Sequence, residues 1–384
     1  MQEDITLTLL QNGALQVTAY SLMMVAAALA GIALIVGLNV RRHGIDRCLN
    51  LALATLLGAV LGGHLIYCLT NISTILADYN SGAMLFLRFD LGGYTLYGAV
   101  LGILAAIAVY GAVSHQNILN MTDAVVPGTL AALFVGRAAE YFTNQGLGEW
   151  IEDAALARLP FAVEIVYELD DFSEWRVPVF MYEAIAAAVM LIVVLVLRGR
   201  RGQYPGRLTG TALTLLGTSQ IFLEQLRQDD YVRFGFVRFT QIAALTLLVA
   251  VLAIRLIRAA RAKGWTLPLS LRVLVFLAGV AIVILVEFGL EKPQVLPYLR
   301  PTAVLLAAAS GYGLIDLARR NGGKAAFGVS CAAAVLLVAA SCVAFWLLTL
   351  ELEWENILLM ALMAAAVIAM AVAVQTHAGE AETA

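Results

Sequence analysis

Residues Asp123–Gly146 read DAVVPGTLAALFVGRAAEYFTNQG. The run is long and apolar enough for a spanning helix, which needs about 20 mostly apolar residues. Its interior charges, Arg137 and Glu140, break that reading unless something compensates them. A charge at bilayer depth costs roughly 2.5–3.5 kcal/mol on insertion scales. A helix rises about 1.5 Å per residue, which puts Arg137 about 21 Å beyond Asp123 and past the bilayer midplane. Glu140 and Tyr141 follow at i+3 and i+4, on the same face. The stretch predicts a membrane helix whose charged face turns toward other helices.

The rest of the chain has the composition such a helix needs around it. Of 384 residues, 61% are hydrophobic and 13% charged, and mean hydropathy is +0.87. Soluble domains carry about 25% charged residues, and a soluble core has no room for this much apolar surface. The fold class is an all-α polytopic membrane protein. The net charge of −3 gives no electrostatic footprint for nucleic acid, and none is expected as a partner. The first residues, MQED, lack the basic n-region of a cleaved signal peptide. Cys48, Cys68, Cys331 and Cys342 show no paired spacing and lie in or beside apolar runs, so they read as small hydrophobes. The four histidines are scattered. No metal site and no cofactor is expected.

Apolar runs at about 17–39, 48–70, 93–113, 123–142, 179–197, 208–227 and 238–256 each qualify as a span, and these are the ones with polar interruptions. Plainer runs follow at about 270–288, 298–316, 325–349 and 356–375. The expected organisation is a seven-helix membrane domain over 1–260, four further transmembrane helices over 261–376 and a disordered tail over 377–384. Basic residues collect in alternate loops: Arg41, Arg42 and Arg47; Arg198, Arg200, Arg201 and Arg207; Arg255 to Arg272; and Arg319, Arg320 and Lys324. The positive-inside rule puts these loops in the cytoplasm, the N-terminus outside and the C-terminus inside. Segment 143–178 then lies outside. It is acidic and too long for a plain connector, so a small extracytoplasmic cap is expected, with a strand at FAVEIVYEL, 161–169. The motif GAVLG occurs at 58–62 and again at 98–102. Its GxxxG spacing lets helix backbones approach closely, and packing is its reading.

The polar interruptions share one depth. Gln220, Glu224 and Arg227 share a face of the sixth run, climbing from about the midplane to the outer surface. His64 and Tyr67 share a face of the second, in the outer half. Tyr20, Tyr97 and the pair Tyr182–Glu183 lie near the outer ends of the first, third and fifth. The plain structural account is local pairing, Arg137 with Glu140 and Arg227 with Glu224. The functional account is one polar cavity open to the outer leaflet, whose basic groups take an anion such as a phospholipid phosphate.

At these residues the sequence resembles the prolipoprotein diacylglyceryl transferase family, over about 17–250. TAYSLMM supplies the family tyrosine as Tyr20, and GGHLIYCL is similar to the family GGRxGY run through Gly62, Gly63 and Tyr67. FDLGGYTLYGAVLG resembles the glycine-rich start of the third helix. DAVVPGTLAALFVGR keeps Asp123, Pro127, Gly136 and Arg137, and VPVFMYE keeps Pro178, Tyr182 and Glu183. GTSQIFLEQLRQDD keeps Gly217, Glu224, Arg227, Gln228 and Asp230, and FTQIAAL keeps Gln241. The resemblance implies a bacterial inner-membrane enzyme. It would move diacylglyceryl from phosphatidylglycerol to the lipobox cysteine thiol of a prolipoprotein, forming a thioether and releasing glycerol phosphate. Its partners would be phosphatidylglycerol, the lipobox peptide and the bilayer.

The sequence departs from the family pattern at several positions. The family's third-helix histidine is Tyr97 here, the arginine of GGR is His64, the asparagine after the fourth-helix arginine is Glu140, and an arginine before Glu224 is Gln220. Val177 stands where a histidine precedes the YE pair. The catalytic candidates are Arg137, His64, Tyr97 and Glu140, with Arg137 holding the leaving phosphate and His64 or Glu140 as base. The substrate-binding candidates are Tyr20, Tyr67, Tyr182, Glu183, Gln220, Glu224 and Arg227. Two other readings stand beside the enzyme: an altered family member that binds lipid or lipoprotein partners without transfer, and a transporter, although no inverted pair of interrupted helices is evident.

Overall fold

The computed structural model describes residues 8–12, 15–72, 86–87, 93–143, 145–151, 162–167, 172–199, 204–228, 233–234 and 237–263. The four further transmembrane helices expected within 261–376 and the tail at 377–384 lie beyond residue 263, outside the described residues. Within them are seven α-helices: α1 (Ala19–His43), α2 (Ile45–Thr70), α3 (Leu96–Val113), α4 (Ile118–Ala139), α5 (Val179–Arg198), α6 (Arg207–Leu226) and α7 (Phe239–Lys263). Each answers one of the first seven apolar runs. Five of them, α1 to α5, are long and apolar enough to cross a membrane. In α6 the polar residues Thr209, Thr211, Gln220 and Glu224 are buried, which lowers its mean hydropathy without exposing polarity. The apolar stretch of α7, Phe239–Val251, is shorter than a span.

Local chemistry sets the ends. Thr18 caps α1: its hydroxyl accepts from the Ser21 N–H at 3.1 Å while the Ser21 hydroxyl accepts from the Thr18 N–H, a reciprocal box. Gly44, at φ +77°, is the single residue between α1 and α2, a backbone angle that glycine adopts without steric cost. Asn117 caps α4 through the Asn120 N–H.

Polarity is distributed as lipid demands. Large apolar side chains are exposed along α1 (Leu22, Val25, Leu29), α2 (Leu53, Leu57, Leu61) and α5 (Val189, Ile192, Val196), while Asn39, Thr55, His64, Glu183 and Arg227 are buried. Hydrocarbon solvates the first group, and the second must find partners inside. The two GAVLG motifs pack against each other. A methyl added at Gly58 would lie 2.5 Å from the Gly102 carbonyl oxygen, and one at Gly98 would lie 2.5 Å from that of Gly62. No larger residue permits this approach, which locks α2 to α3 in one register.

Two short antiparallel hairpins and one sheet complete the fold. Strands β1 (Thr8–Asn12) and β2 (Leu15–Thr18) pair before α1, a feature the apolar runs did not reveal. β3 (Leu147–Trp150), β4 (Val163–Tyr167) and β5 (Phe172–Pro178) form a sheet of order β3-β5-β4. β4 is the strand expected at 161–169, and β5 runs directly into α5. β6 (Arg233–Phe234) and β7 (Val237–Arg238) form the hairpin between α6 and α7.

The described residues fall in two compact units. The first runs to Ala212 and resumes over Ser219–Leu245; the second takes Leu213–Thr218 and α7 from Thr246 on. In the second, Thr214 and Leu248 are fully buried, and the Thr218 hydroxyl donates to the Thr214 carbonyl at 2.8 Å. All residues of the site described next belong to the first.

Candidate functional site

α4 carries Arg137 in its last turn, and a 3-10 turn, Glu140–Phe142, follows at once. The arginine reaches two carboxylates. Its Nη1 donates to Glu140 Oε1 at 2.5 Å, and its Nε lies 3.0 Å from Glu183 Oε2. Glu183 comes from the second turn of α5, and its side chain is only 1% exposed. That carboxylate also receives Arg227, whose Nη1 stands 3.2 Å from Oε2 and 3.5 Å from Oε1. Arg227 Nη2 is 4.0 Å from Glu140 Oε2. Two guanidiniums and two carboxylates from three helix ends thus alternate in one cluster. Buried charges persist only when opposite charges offset their lost hydration, and removing one partner costs about 3–5 kcal/mol.

Arg137 and Glu140 pair as their i,i+3 spacing predicts. Arg227 and Glu224 do not pair, and the reason is local. α6 ends at Leu226, and Arg227 adopts an extended backbone, φ −78° and ψ 140°. The side-chain geometry that makes i,i+3 residues neighbours stops with the helix, so Arg227 turns to Glu183.

Glu224 is instead met by Arg238, whose Nη1 is 3.6 Å from Glu224 Oε1. Another guanidinium nitrogen of Arg238, Nη2, donates to the backbone carbonyl of Arg227. The Arg238 N–H donates to Gln241 Oε1 at 3.0 Å, and Gln241 Nε2 donates to the Ile221 carbonyl at 3.4 Å. Gln220, one turn before Glu224, is buried. Tyr97, in the first turn of α3, is buried within electrostatic reach of Glu224, Glu183 and Arg137. Its hydroxyl makes no hydrogen bond among the described residues.

The other candidates lie on α1, α2 and α5. Gly136 faces Met24, one turn after Tyr20, so the start of α1 meets the end of α4. Tyr20 and Tyr182 are half-buried. His64 is 2% exposed, with Nδ1 3.4 Å from the Gly93 carbonyl oxygen and Nε2 3.5 Å from Cys68 Sγ. A carbonyl only accepts, so that contact places the proton on Nδ1 and leaves Nε2 to the thiol. The Tyr94 ring stands 5.7 Å away, and the Tyr67 ring lies directly against Gly93.

Sequence reasoning missed two residues here. Arg238 sits in FGFVRF, a run that reads as loop, and only the β6–β7 hairpin brings it inward. Gly146 has φ +70°, and a Cβ there would stand 2.5 Å from Glu140 Oε2 and 2.9 Å from the Phe180 Cβ. A glycine closing the polar run TNQG was the available signal, since glycine is the residue that takes a positive φ without steric cost. The Phe180 N–H donates to the Gly146 carbonyl at 2.9 Å, which ties the start of α5, and so Glu183, to the turn after Glu140.

The chain is similar to known proteins. Residues 7–257 match the family model described as prolipoprotein diacylglyceryl transferase. Among curated proteins, a phosphatidylglycerol–prolipoprotein diacylglyceryl transferase of Synechococcus elongatus is 28% identical over 250 residues, covering 62% of this chain and 82% of the relative. One from Clostridioides difficile is 26% identical over 228 residues, covering 59% and 84%. The transferase 2 of Clostridium perfringens is 23% identical over 211 residues, covering 54% and 78%. With the model match spanning well over half its length, this multi-pass membrane chain belongs to the prolipoprotein diacylglyceryl transferase family.

Proposed function

We propose that this protein transfers diacylglyceryl from phosphatidylglycerol to the cysteine thiol of a lipobox peptide. The observation that carries the reading is the pair of guanidiniums, Arg137 and Arg227, bridged by the buried Glu183 carboxylate at one end of a membrane bundle. Cations held in a water-poor site stabilise charge that grows in a transition state far better than water does. The lipid headgroup reaches that depth without leaving the bilayer. The cysteine sulfur attacks the glycerol carbon, a C–S bond forms and the C–O bond to phosphate breaks. Glycerol phosphate leaves with the electron pair, and Arg137 and Arg227 hold its charge.

The thiol must lose its proton to attack. Glu140 and His64 are the two groups suited to take it. Glu140 is favoured, because its Oε2 accepts no hydrogen bond among the described residues, whereas His64 Nε2 faces Cys68. Tyr97, Glu224 and Gln220 line the same region, with Tyr20 and Tyr182 near the starts of α1 and α5 and Tyr67 near the end of α2, as contacts for headgroup and peptide. The active end faces the outer leaflet, where secreted prolipoproteins arrive.

A second reading draws on one observation. Both guanidiniums already meet carboxylates, so a phosphate must displace Glu140 or Glu183 to bind both. A family member in which that exchange never occurs binds lipid or lipoprotein without transfer. Incubating the purified chain with phosphatidylglycerol and a lipobox peptide separates the two. A diacylglyceryl mass increment on the peptide with stoichiometric glycerol phosphate supports transfer. Saturable phosphatidylglycerol binding with neither product supports the second reading.

A further inference from the structure

Three arginines converge on the site, Arg227 and Arg238 buried and Arg137 nearly so, and only two face the bridging carboxylate Glu183. The third, Arg238, is 7% exposed and enters from the β6–β7 hairpin. Desolvating a guanidinium this far is expensive, and two of the side-chain contacts of Arg238 matter here. One guanidinium nitrogen approaches Glu224 at 3.6 Å, and another donates to the Arg227 carbonyl. Both contacts bear on the residue whose charge the site uses. Glu224 lies three residues before Arg227 and is the carboxylate that a helical Arg227 would reach. The carbonyl belongs to Arg227 itself.

We propose that Arg238 is a positioning residue that occupies Glu224 and so leaves the Arg227 guanidinium to Glu183 and the headgroup phosphate. Charge balance supports this. Among the described residues, Arg137, Arg227 and Arg238 face Glu140, Glu183 and Glu224, three of each sign. Without Arg238, Glu224 is an unbalanced buried carboxylate one helical turn from Arg227. The cheapest relief is for Arg227 to continue α6 by a turn and pair with it. That motion withdraws one of the two cations from the phosphate. The backbone agrees: Arg227 stays extended at the end of α6 while Arg238 holds its carbonyl, and Gln241 fixes Arg238 by bonding its N–H.

The inference rests on the reading that Arg227 binds the phosphatidylglycerol phosphate, and the test separates the two. Arg238→Gln is compared with the parent chain in detergent for retention of fluorescent phosphatidylglycerol over phosphatidylcholine, and for transfer to the lipobox peptide. The expected result is a loss of about 10–100-fold in both, the scale of an angstrom-level misplacement, with the change in transfer carried mostly by KM for the lipid. Gln220→Arg is then added. Position 220 is one turn before Glu224 on the same face, so an arginine there returns a cation to Glu224 from the other side. The Arg238→Gln/Gln220→Arg protein is expected to recover to within about threefold of the parent. The double variant also guards against a folding defect, since a cation restored to Glu224 should restore the fold too. Unchanged phosphatidylglycerol retention in Arg238→Gln overturns the proposal, as does a folded double variant as poor as the single one. A parent chain that retains phosphatidylglycerol but transfers nothing fails the transfer reading and leaves the binding arm to decide Arg238.

Discussion

The two ends of α4 solve the same problem differently. Asp123 and Arg137 lie about 21 Å apart along one helix, and each is a charge that hydrocarbon penalises. At the Asp123 end, Asp123 and Arg198 meet backbone groups, a hydroxyl and a side-chain amide. Asp123 accepts from the Gly206 N–H at 2.8 Å, the Thr209 N–H at 2.8 Å and the Thr209 hydroxyl at 2.7 Å, and so caps α6 from another helix. Arg198 donates to the Leu38 carbonyl at 3.0 Å and to Asn39 Oδ1 at 2.9 Å, while Asn39 donates to the Ala124 carbonyl. At the Arg137 end, charges meet charges on side chains. A carboxylate capping a helix cannot be exchanged without fraying that helix. A carboxylate on a guanidinium can be exchanged for a phosphate with the backbone unmoved. The first end is tied to the fold, and the second is the end proposed to bind.

The sharpest break in that contrast is expected at Arg137. Arg137→Gln should lower transfer by about 10²–10³-fold, the usual effect of removing one group that stabilises transition-state charge, while the protein still purifies as a folded membrane protein. Mass analysis of the lipobox peptide measures it. Normal transfer by this variant would remove the distinction between the two ends.

Next in size is the choice of base. Glu140→Gln should slow transfer about 100-fold more than His64→Gln does, as general-base catalysis contributes about 10²–10⁴-fold. Glutamine keeps the acceptor for Arg137 and loses the basic oxygen. In His64→Gln the loss falls on the contacts to Gly93 and Cys68, hence on thermal stability. Single-turnover rates at saturating lipid distinguish the two, and the reverse order would move the chemistry to His64, toward the end of α2.

Asp123→Ala tests the other end. The variant strands the Gly206 and Thr209 N–H groups and should destabilise the protein by about 0.5–2 kcal/mol, as loss of a helix cap does. Specific activity per folded molecule should stay at the parent value. A fall in activity without a fall in thermal midpoint would show that the two ends are coupled.

How much of this the sequence carried differs between the ends as well. The helices were legible because lipid exposure writes itself as long apolar runs, and α2–α3 register was legible in the paired GAVLG motifs. The Arg137–Glu140 pair was legible because α4 runs straight into the 3-10 turn and keeps the two partners neighbours at i+3. The partner of Arg227 was not. It depends on α6 stopping at Leu226, one residue before it, and helix ends are set by capping and packing that spacing alone does not encode. Arg238 was hidden for a related reason, because strands of two residues leave no periodicity to read. The β1–β2 hairpin had a signal in Asn12–Gly13, the dipeptide that favours a two-residue turn, but its strands are short and precede the first apolar run.

The smallest effect is expected at Tyr97, and its sign is informative. The hydroxyl is buried and makes no hydrogen bond among the described residues, although Glu224, Glu183 and Arg137 lie within its electrostatic reach. A buried polar group left unsatisfied costs about 1–3 kcal/mol. Tyr97→Phe keeps the ring and removes that group, so it should stabilise the protein slightly, by about 1 kcal/mol. A tyrosine kept for packing alone would lose nothing by the exchange. A phenol that donates to the lipid phosphate or the peptide would lose transfer at the same time, by about tenfold, the familiar opposition between stability and activity at a working site. Thermal midpoint and transfer rate measured on one preparation therefore move in opposite directions if Tyr97 serves the binding end, and a stabilised variant with unchanged transfer would assign its ring to packing.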